Sequence, residues 1–204
     1  KFLKKKNIKG HGFSKYYTQY LKHLKNKEIN ILEIGSFAGS SAAAFAKYFT
    51  NSNIYCFDVN ISNFIYSSKK INVYGLDINN KKKLEKEIKK IYQKKNFNFF
   101  DIIIDDGSHY LSDILFGLKN IFKYLNKKGI YIIEDFKHPN YYNYNKNVDD
   151  ILVDEALRCL KEKKLFNSKI LNNEDQLYLQ NNINKIITHK GNLNDSDICF
   201  IERY

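Results

Sequence analysis

Short apolar runs rich in Ile, Val, Tyr and Phe recur at residues 29–34, 53–59, 71–76, 100–105 and 129–134. Each breaks off at an acidic residue, Gly or Asn, as strands buried on both faces do. Helical patterns lie between them. SSAAAFAKYF is Ala-rich. NKKKLEKEIKKIYQKK spaces Leu84, Ile88 and Ile91 for one helix face, and YLSDILFGLKNIFKYL and VDDILVDEALRCLKEKKLF are amphipathic in the same sense. Regular alternation of strand and helix predicts an α/β fold, a mainly parallel sheet with helices on both faces. SKYYTQYLKHLKN, opening at Ser14 as its cap, predicts a helix before the first strand. Near the end, INKIITHK and SDICFIERY flank a turn-rich GNLND, which predicts a β-hairpin closing one sheet edge. With these two the sheet has seven strands. No linker, repeat or low-complexity tract divides residues 1–204, so one domain is expected, with 1–28 as a helical cap. Pro139, the only proline, falls in FKHPNYYNYN, and residues 136–147 are read as a substrate-side loop.

Composition narrows the picture. A chain of 204 residues with 43% hydrophobic and 27% charged residues can bury a substantial core. No apolar run approaches the roughly 20 residues of a membrane span. The start is basic with no apolar stretch behind it, so no secretory signal is expected. The chain begins at Lys1 and has no Met, so a few native residues are expected before it. Cys56, Cys159 and Cys199 are scattered and form no CxxC pair, which argues against a zinc site or a disulfide framework and for a reducing cytoplasm. The net charge of +12 invites a polyanionic partner, but arginine occurs only at Arg158 and Arg203. Nucleic-acid recognition usually draws on arginine's bidentate fork, so a nucleic-acid partner is disfavoured. An anionic small substrate remains compatible, and homo-oligomerisation is left open.

Two regions carry candidate chemistry. In ILEIGSFAGSSAAAF, Gly35 and Gly39 let the backbone turn sharply and approach a ligand, and the amides opening the next helix can hold an anion. Asp58 ends the second strand where an acid can bind ribose hydroxyls, and Asp77 follows the third where it could face an adenine. The turn reads GSFAGS rather than GxGxxG, and Glu33 before it would repel a pyrophosphate but could pair with a cationic amino group. The second region joins Asp105, Asp106 and His109 in DIIIDDGSH to Glu134 and Asp135 in GIYIIEDF. Carboxylates at two strand ends suit Mg²⁺, and the imidazole suits a general base. An acid in such a place can also simply cap the following helix, and Ser108 or Asp106 could do so. His23, His138 and His189 have no comparable setting, although His138 lies on the expected loop.

The glycine turn with its Glu33 resembles that of class I S-adenosylmethionine-dependent methyltransferases with a Rossmann-like fold. The resemblance implies that Glu33, Gly35, Ser36 and Gly39 line the methionine part of the cofactor, Asp58 holds the ribose and Asp77 lies near the adenine. HGFSKYYTQYL is similar to the opening of one subgroup, implying that His11 and Tyr17 cap the cofactor pocket. D-D-G-S-H with a later E-D pair is similar to the metal-dependent sugar O-methyltransferases of the mycinamicin and macrocin type and to the wider cephalosporin-hydroxylase-like group. That resemblance implies Mg²⁺ or another divalent cation at Asp106, Glu134 and Asp135, with His109 as base. Asp105 would face the cofactor or orient the loop. The implied substrate is a sugar or nucleotide-linked sugar, as in antibiotic or cell-surface polysaccharide synthesis. A catechol-type methyltransferase, an RNA methyltransferase and a non-catalytic cofactor-binding protein are the alternatives.

Overall fold

The computed structural model describes residues 10–94, 97–145 and 150–204. Positions 1–9 of the expected N-terminal cap and 146–147 of the expected loop lie outside the described residues.

Among the described residues, seven strands form one sheet: β1 (Glu28–Ile34), β2 (Asn51–Asp58), β3 (Ile71–Gly75), β4 (Phe100–Asp105), β5 (Leu125–Glu134), β6 (Ile183–Lys190) and β7 (Asp197–Arg203). Their order is β3-β2-β1-β4-β5-β7-β6. The first five run parallel, and β7 inserts antiparallel between β5 and β6. The expected hairpin is therefore present, with β7 as its inner strand.

The order reverses at β1 and β4, and both strands end at the same edge, where such sheets place their ligands. In β4, Ile102, Ile103 and Ile104 are all buried, which explains why its sequence is continuously apolar rather than alternating. One face is covered by α3 (Lys81–Tyr92), α4 (Leu111–Ile121) and α6 (Val153–Lys161), which contribute Leu84, Leu115 and Leu157 to one core cluster. The other face is covered by α1 (Ser14–Leu21) and α2 (Ser40–Tyr48), with Leu21, Ala42 and Phe200 in a second cluster.

Four details differ from the sequence pattern. Ser14 does not cap α1; Phe13 is the cap residue and no side chain serves it, because the chain enters already in helical geometry. β5 begins at Leu125, before the apolar run, and reaches it through Lys128 in a left-handed conformation and a register shift against β4. A one-turn helix, α5 (His138–Tyr141), stands inside the expected loop, with Pro139 in its first turn. A further helix, α7 (Asn173–Asn182), has no counterpart in the apolar pattern.

Candidate active site

The glycine turn and the β4–α4 turn touch. Gly35 has φ +82°, and a Cβ there would stand 2.0 Å from the Asp106 carbonyl oxygen. The Asp106 amide donates to the Ile34 carbonyl at 3.0 Å, and the Gly35 amide to Phe57 at 2.9 Å. Gly39 has φ +79° and is crossed by the Phe64 ring, 2.4 Å from where a Cβ would be. These contacts explain the glycines: backbone and ring occupy the space of a side chain.

A cleft of about 290 Å³ opens beside these turns, lined by Gly35, Asp58, Asp77, Asp106 and His109 among others. Asp58 accepts hydrogen bonds from the Phe37 amide at 2.7 Å and the Asn60 amide at 2.8 Å, which fixes its carboxylate at the mouth. Asp77 accepts from the Asn79 amide at 2.9 Å. Glu33 lies buried beneath the turn. Burial raises its carboxyl above the ordinary range, opposed by the hydroxyls of Ser41 and Ser36 and the Cys56 thiol. Ser36 is buried near Glu33, and its hydroxyl completes no hydrogen bond of good geometry.

Beyond the ends of β4 and β5, Asp106, His109 and Asp135 each offer a ligand atom, and the three atoms lie within 4.8 Å of one another. His109 Nε2 is 3.9 Å from Asp106 Oδ1. His109 (φ +57°) and Asp135 (φ +50°) both adopt left-handed backbone, which turns their side chains toward the cluster at some cost in strain. Burial first, then repulsion from Glu134, Asp135 and Glu33, pushes Asp106 up to about 9. Part of that rise is screened, since 38% of its side chain is exposed. Burial also pushes Glu134 up to about 7 and raises Asp135, the latter opposed by His11. His109 is pushed down to about 4 by burial and by His138 and His11, so it is neutral near pH 7. The crowded carboxylates of Asp106, Asp135 and the adjoining Glu134 fit a divalent cation, whose charge would relieve their repulsion, with the neutral His109 imidazole beside it.

Placement separates the candidates. Asp106 caps no helix: Tyr110 is the α4 cap residue, and Ser108 instead accepts from the Tyr110 amide at 3.2 Å. Asp105 points under α4, where Tyr131 donates to it at 3.4 Å and burial pushes it up to about 7. Glu134 lies beside the three-atom cluster, its Oε1 accepting from the Tyr17 hydroxyl, and His11 Nδ1 is 3.2 Å from Asp135 Oδ2. An aromatic wall stands next to the cluster. His138 stacks on Tyr142 and Tyr144 with centroids 4.2 and 4.9 Å apart, and lies 5.3 Å from His109. Asp195, in the hairpin turn, accepts from Tyr142 at 3.1 Å and lies 3.8 Å from His138. Nothing in the sequence pattern singled out Asp195, a lone acid in a polar turn.

In structure the chain is similar to MycE, a methyltransferase of mycinamycin biosynthesis solved with Mg, SAH and mycinamycin VI. The TM-score is 0.71 at 19% identity, over 94% of this chain and 48% of that one. Human methyltransferase-like protein 13, solved with SAH, gives 0.54 at 13% identity, over 93% and 81%. The fold is that of class I methyltransferases. In sequence, the chain is 25% identical over 132 residues to mycinamicin VI 2''-O-methyltransferase of Micromonospora griseorubida, 61% of this chain and 31% of that protein. It is 26% identical over 132 residues to demethylmacrocin O-methyltransferase of Streptomyces fradiae, 61% and 32%. The resemblance to mycinamicin- and macrocin-type enzymes is thus borne out. The match spans about a third of the length of each of these curated relatives. No protein-family model matches the chain. Among the described residues, no helix is long and apolar enough to cross a membrane.

Proposed function

We propose that this chain is the catalytic domain of an S-adenosylmethionine-dependent O-methyltransferase acting on a sugar hydroxyl. The observation that carries the reading is the convergence of Asp106, His109 and Asp135 beside a glycine turn of the methyltransferase fold. The two antibiotic-pathway O-methyltransferases similar in sequence support it. Glu33, Ser36 and the amides of the turn hold the methionine part of the donor, Asp58 the ribose, and Asp77 lies near the adenine. Asp106 and Asp135, with Glu134 adjoining, would hold Mg²⁺ or another divalent cation. Such a cation, when bound, lowers the pKa of a hydroxyl and orients it. His109, kept neutral at pH 7 by its burial, accepts the proton that the acceptor hydroxyl gives up on methylation. Tyr142 and Tyr144 offer ring faces on which a sugar can stack. A nucleotide-linked sugar or a polysaccharide precursor suits the basic chain. Three free thiols suit a reducing cytoplasm, which cell fractionation would check.

The test is incubation with S-adenosylmethionine, Mg²⁺ and a panel of nucleotide-linked sugars, with products identified by mass spectrometry. A methylated sugar whose formation stops with EDTA and returns with Mg²⁺ is expected. Methylation of catechols but of no sugar would sink the substrate assignment, and full activity in EDTA would remove the metal.

A further inference from the structure

The described chain opens with a segment that ends on the metal carboxylates. Residues 10–21 dock against the β6–β7 hairpin: the Asn192 amide donates to the His11 carbonyl at 2.8 Å, and Tyr16 donates to the Lys190 carbonyl at 3.0 Å. The Tyr20 hydroxyl pairs with His189 Nε2 at 2.7 Å. Between these anchors, Tyr17 turns inward. Its ring is wedged between Phe45 and Phe200, and its hydroxyl donates to Glu134 Oε1. His11 Nδ1 lies 3.3 and 3.2 Å from the two oxygens of Asp135. Two successive carboxylates at the end of β5 are thus each gripped by a different residue of one distant segment.

A carboxylate has about four lone-pair positions, and one hydrogen bond leaves the others open while removing freedom of rotation. Groups that hold ligating carboxylates orient them and tune the metal. We propose that Tyr17 and His11 are positioning residues for the divalent cation. Tyr17 fixes Glu134 and His11 fixes Asp135, so that the remaining oxygens face Asp106. The proposal rests on the metal-site reading above. It gives the docked N-terminal segment a role on the acceptor side as well as at the donor pocket.

The test is a titration of the whole chain with Mn²⁺ followed by electron paramagnetic resonance, without donor or acceptor. Tyr17→Phe and His11→Ala should weaken Mn²⁺ binding about 10- to 100-fold. His11→Asn, which keeps a donor near the Nδ1 position, should restore much of it. Tyr16→Phe and Tyr20→Phe, which remove docking hydrogen bonds away from the carboxylates, should leave it unchanged. Circular dichroism checks that each variant is folded. Wild-type affinity in Tyr17→Phe and His11→Ala, with binding lost in Asp106→Asn, overturns the positioning roles and leaves the metal reading standing. So does an equal loss in Tyr16→Phe and Tyr20→Phe, which would make docking alone responsible. Failure of the wild type to bind Mn²⁺, or unchanged binding in Asp106→Asn, overturns both.

Discussion

Replacement of Gly35 by Ala tests the contact on which the site is built. Its φ of +82° is left-handed, which costs an alanine about 1–2 kcal/mol. Steric overlap adds to this. The new Cβ would lie 2.0 Å from the Asp106 carbonyl oxygen and 2.6 Å from Gly107 Cα, all backbone that no rotamer change can move. Reaching a normal contact of about 3.5 Å requires the β4–α4 turn to retreat by roughly 1.5 Å. That retreat stretches the bond from the Asp106 amide to Ile34, worth about 0.5–1.5 kcal/mol. The sum is a destabilisation of about 1.5–3.5 kcal/mol. Asp106 would be carried away from Asp135, so Mn²⁺ binding should weaken along with the fold. Urea denaturation measures the first effect and Mn²⁺ titration the second. Gly75→Ala is the control, since its Cβ would meet nothing nearer than 3.6 Å. A Gly35→Ala protein as stable as Gly75→Ala and with unaltered metal affinity would refute the reasoning.

His109→Ala should lower turnover by about 10²–10⁴ with donor binding preserved, read by initial rates and calorimetry; unchanged turnover removes His109 from the chemistry. Asp105 gives a pH dependence. Its folded value of about 7 lies above the roughly 3.9 of an unfolded aspartate, so the folded state holds the extra proton between those values. Metal-free protein should therefore lose stability as pH rises from about 4 to about 7, and Asp105→Asn should flatten that slope; parallel melting profiles would contradict it. Asn172→Ala removes the capping box of α7, in which Asn172 accepts from the Asp175 amide and Asp175 from the Asn172 amide. It should cost about 1 kcal/mol in urea denaturation, and a neutral effect would show the cap to be idle.

The strands and the two turns were legible because their signal is local. A continuous apolar run that stops at an acid or glycine is both the pattern of a central parallel strand and the place where its ligands sit. α7 was not legible because its buried face is polar. Gln176 is buried and donates to the Phe166 and Leu171 carbonyls, and Gln180 donates to the Lys164 carbonyl. Those bonds satisfy a loop that would otherwise bury bare carbonyls, but they erase the apolar stripe. The start of β5 was hidden similarly, by exposed Lys127 and Lys128 at an irregular step in the strand. At the site, the acids could be found from their strand ends, but their partners could not. Tyr17 and Glu134 are separated by 117 positions, and His11 and Asp135 by 124.

The net charge shows how a global property can point away from the local one. The whole chain carries +12, which taken alone suggests an anionic partner. Yet Glu33, Asp105, Asp106, Glu134 and Asp135 gather along one edge of the sheet. Burial raises each carboxyl, and mutual repulsion raises Asp106 further. Lysines on α3 and the other helices set the total, but most are solvated and screened over a Debye length of about 8 Å. The buried acids are screened far less, so a cation placed between them is favoured more strongly than one at the surface. A protein basic on average thus has its most concentrated acidity in a cluster that, on the function proposed above, calls for a cation: a divalent ion between Asp106 and Asp135, and the amino group of a methionine moiety near Glu33.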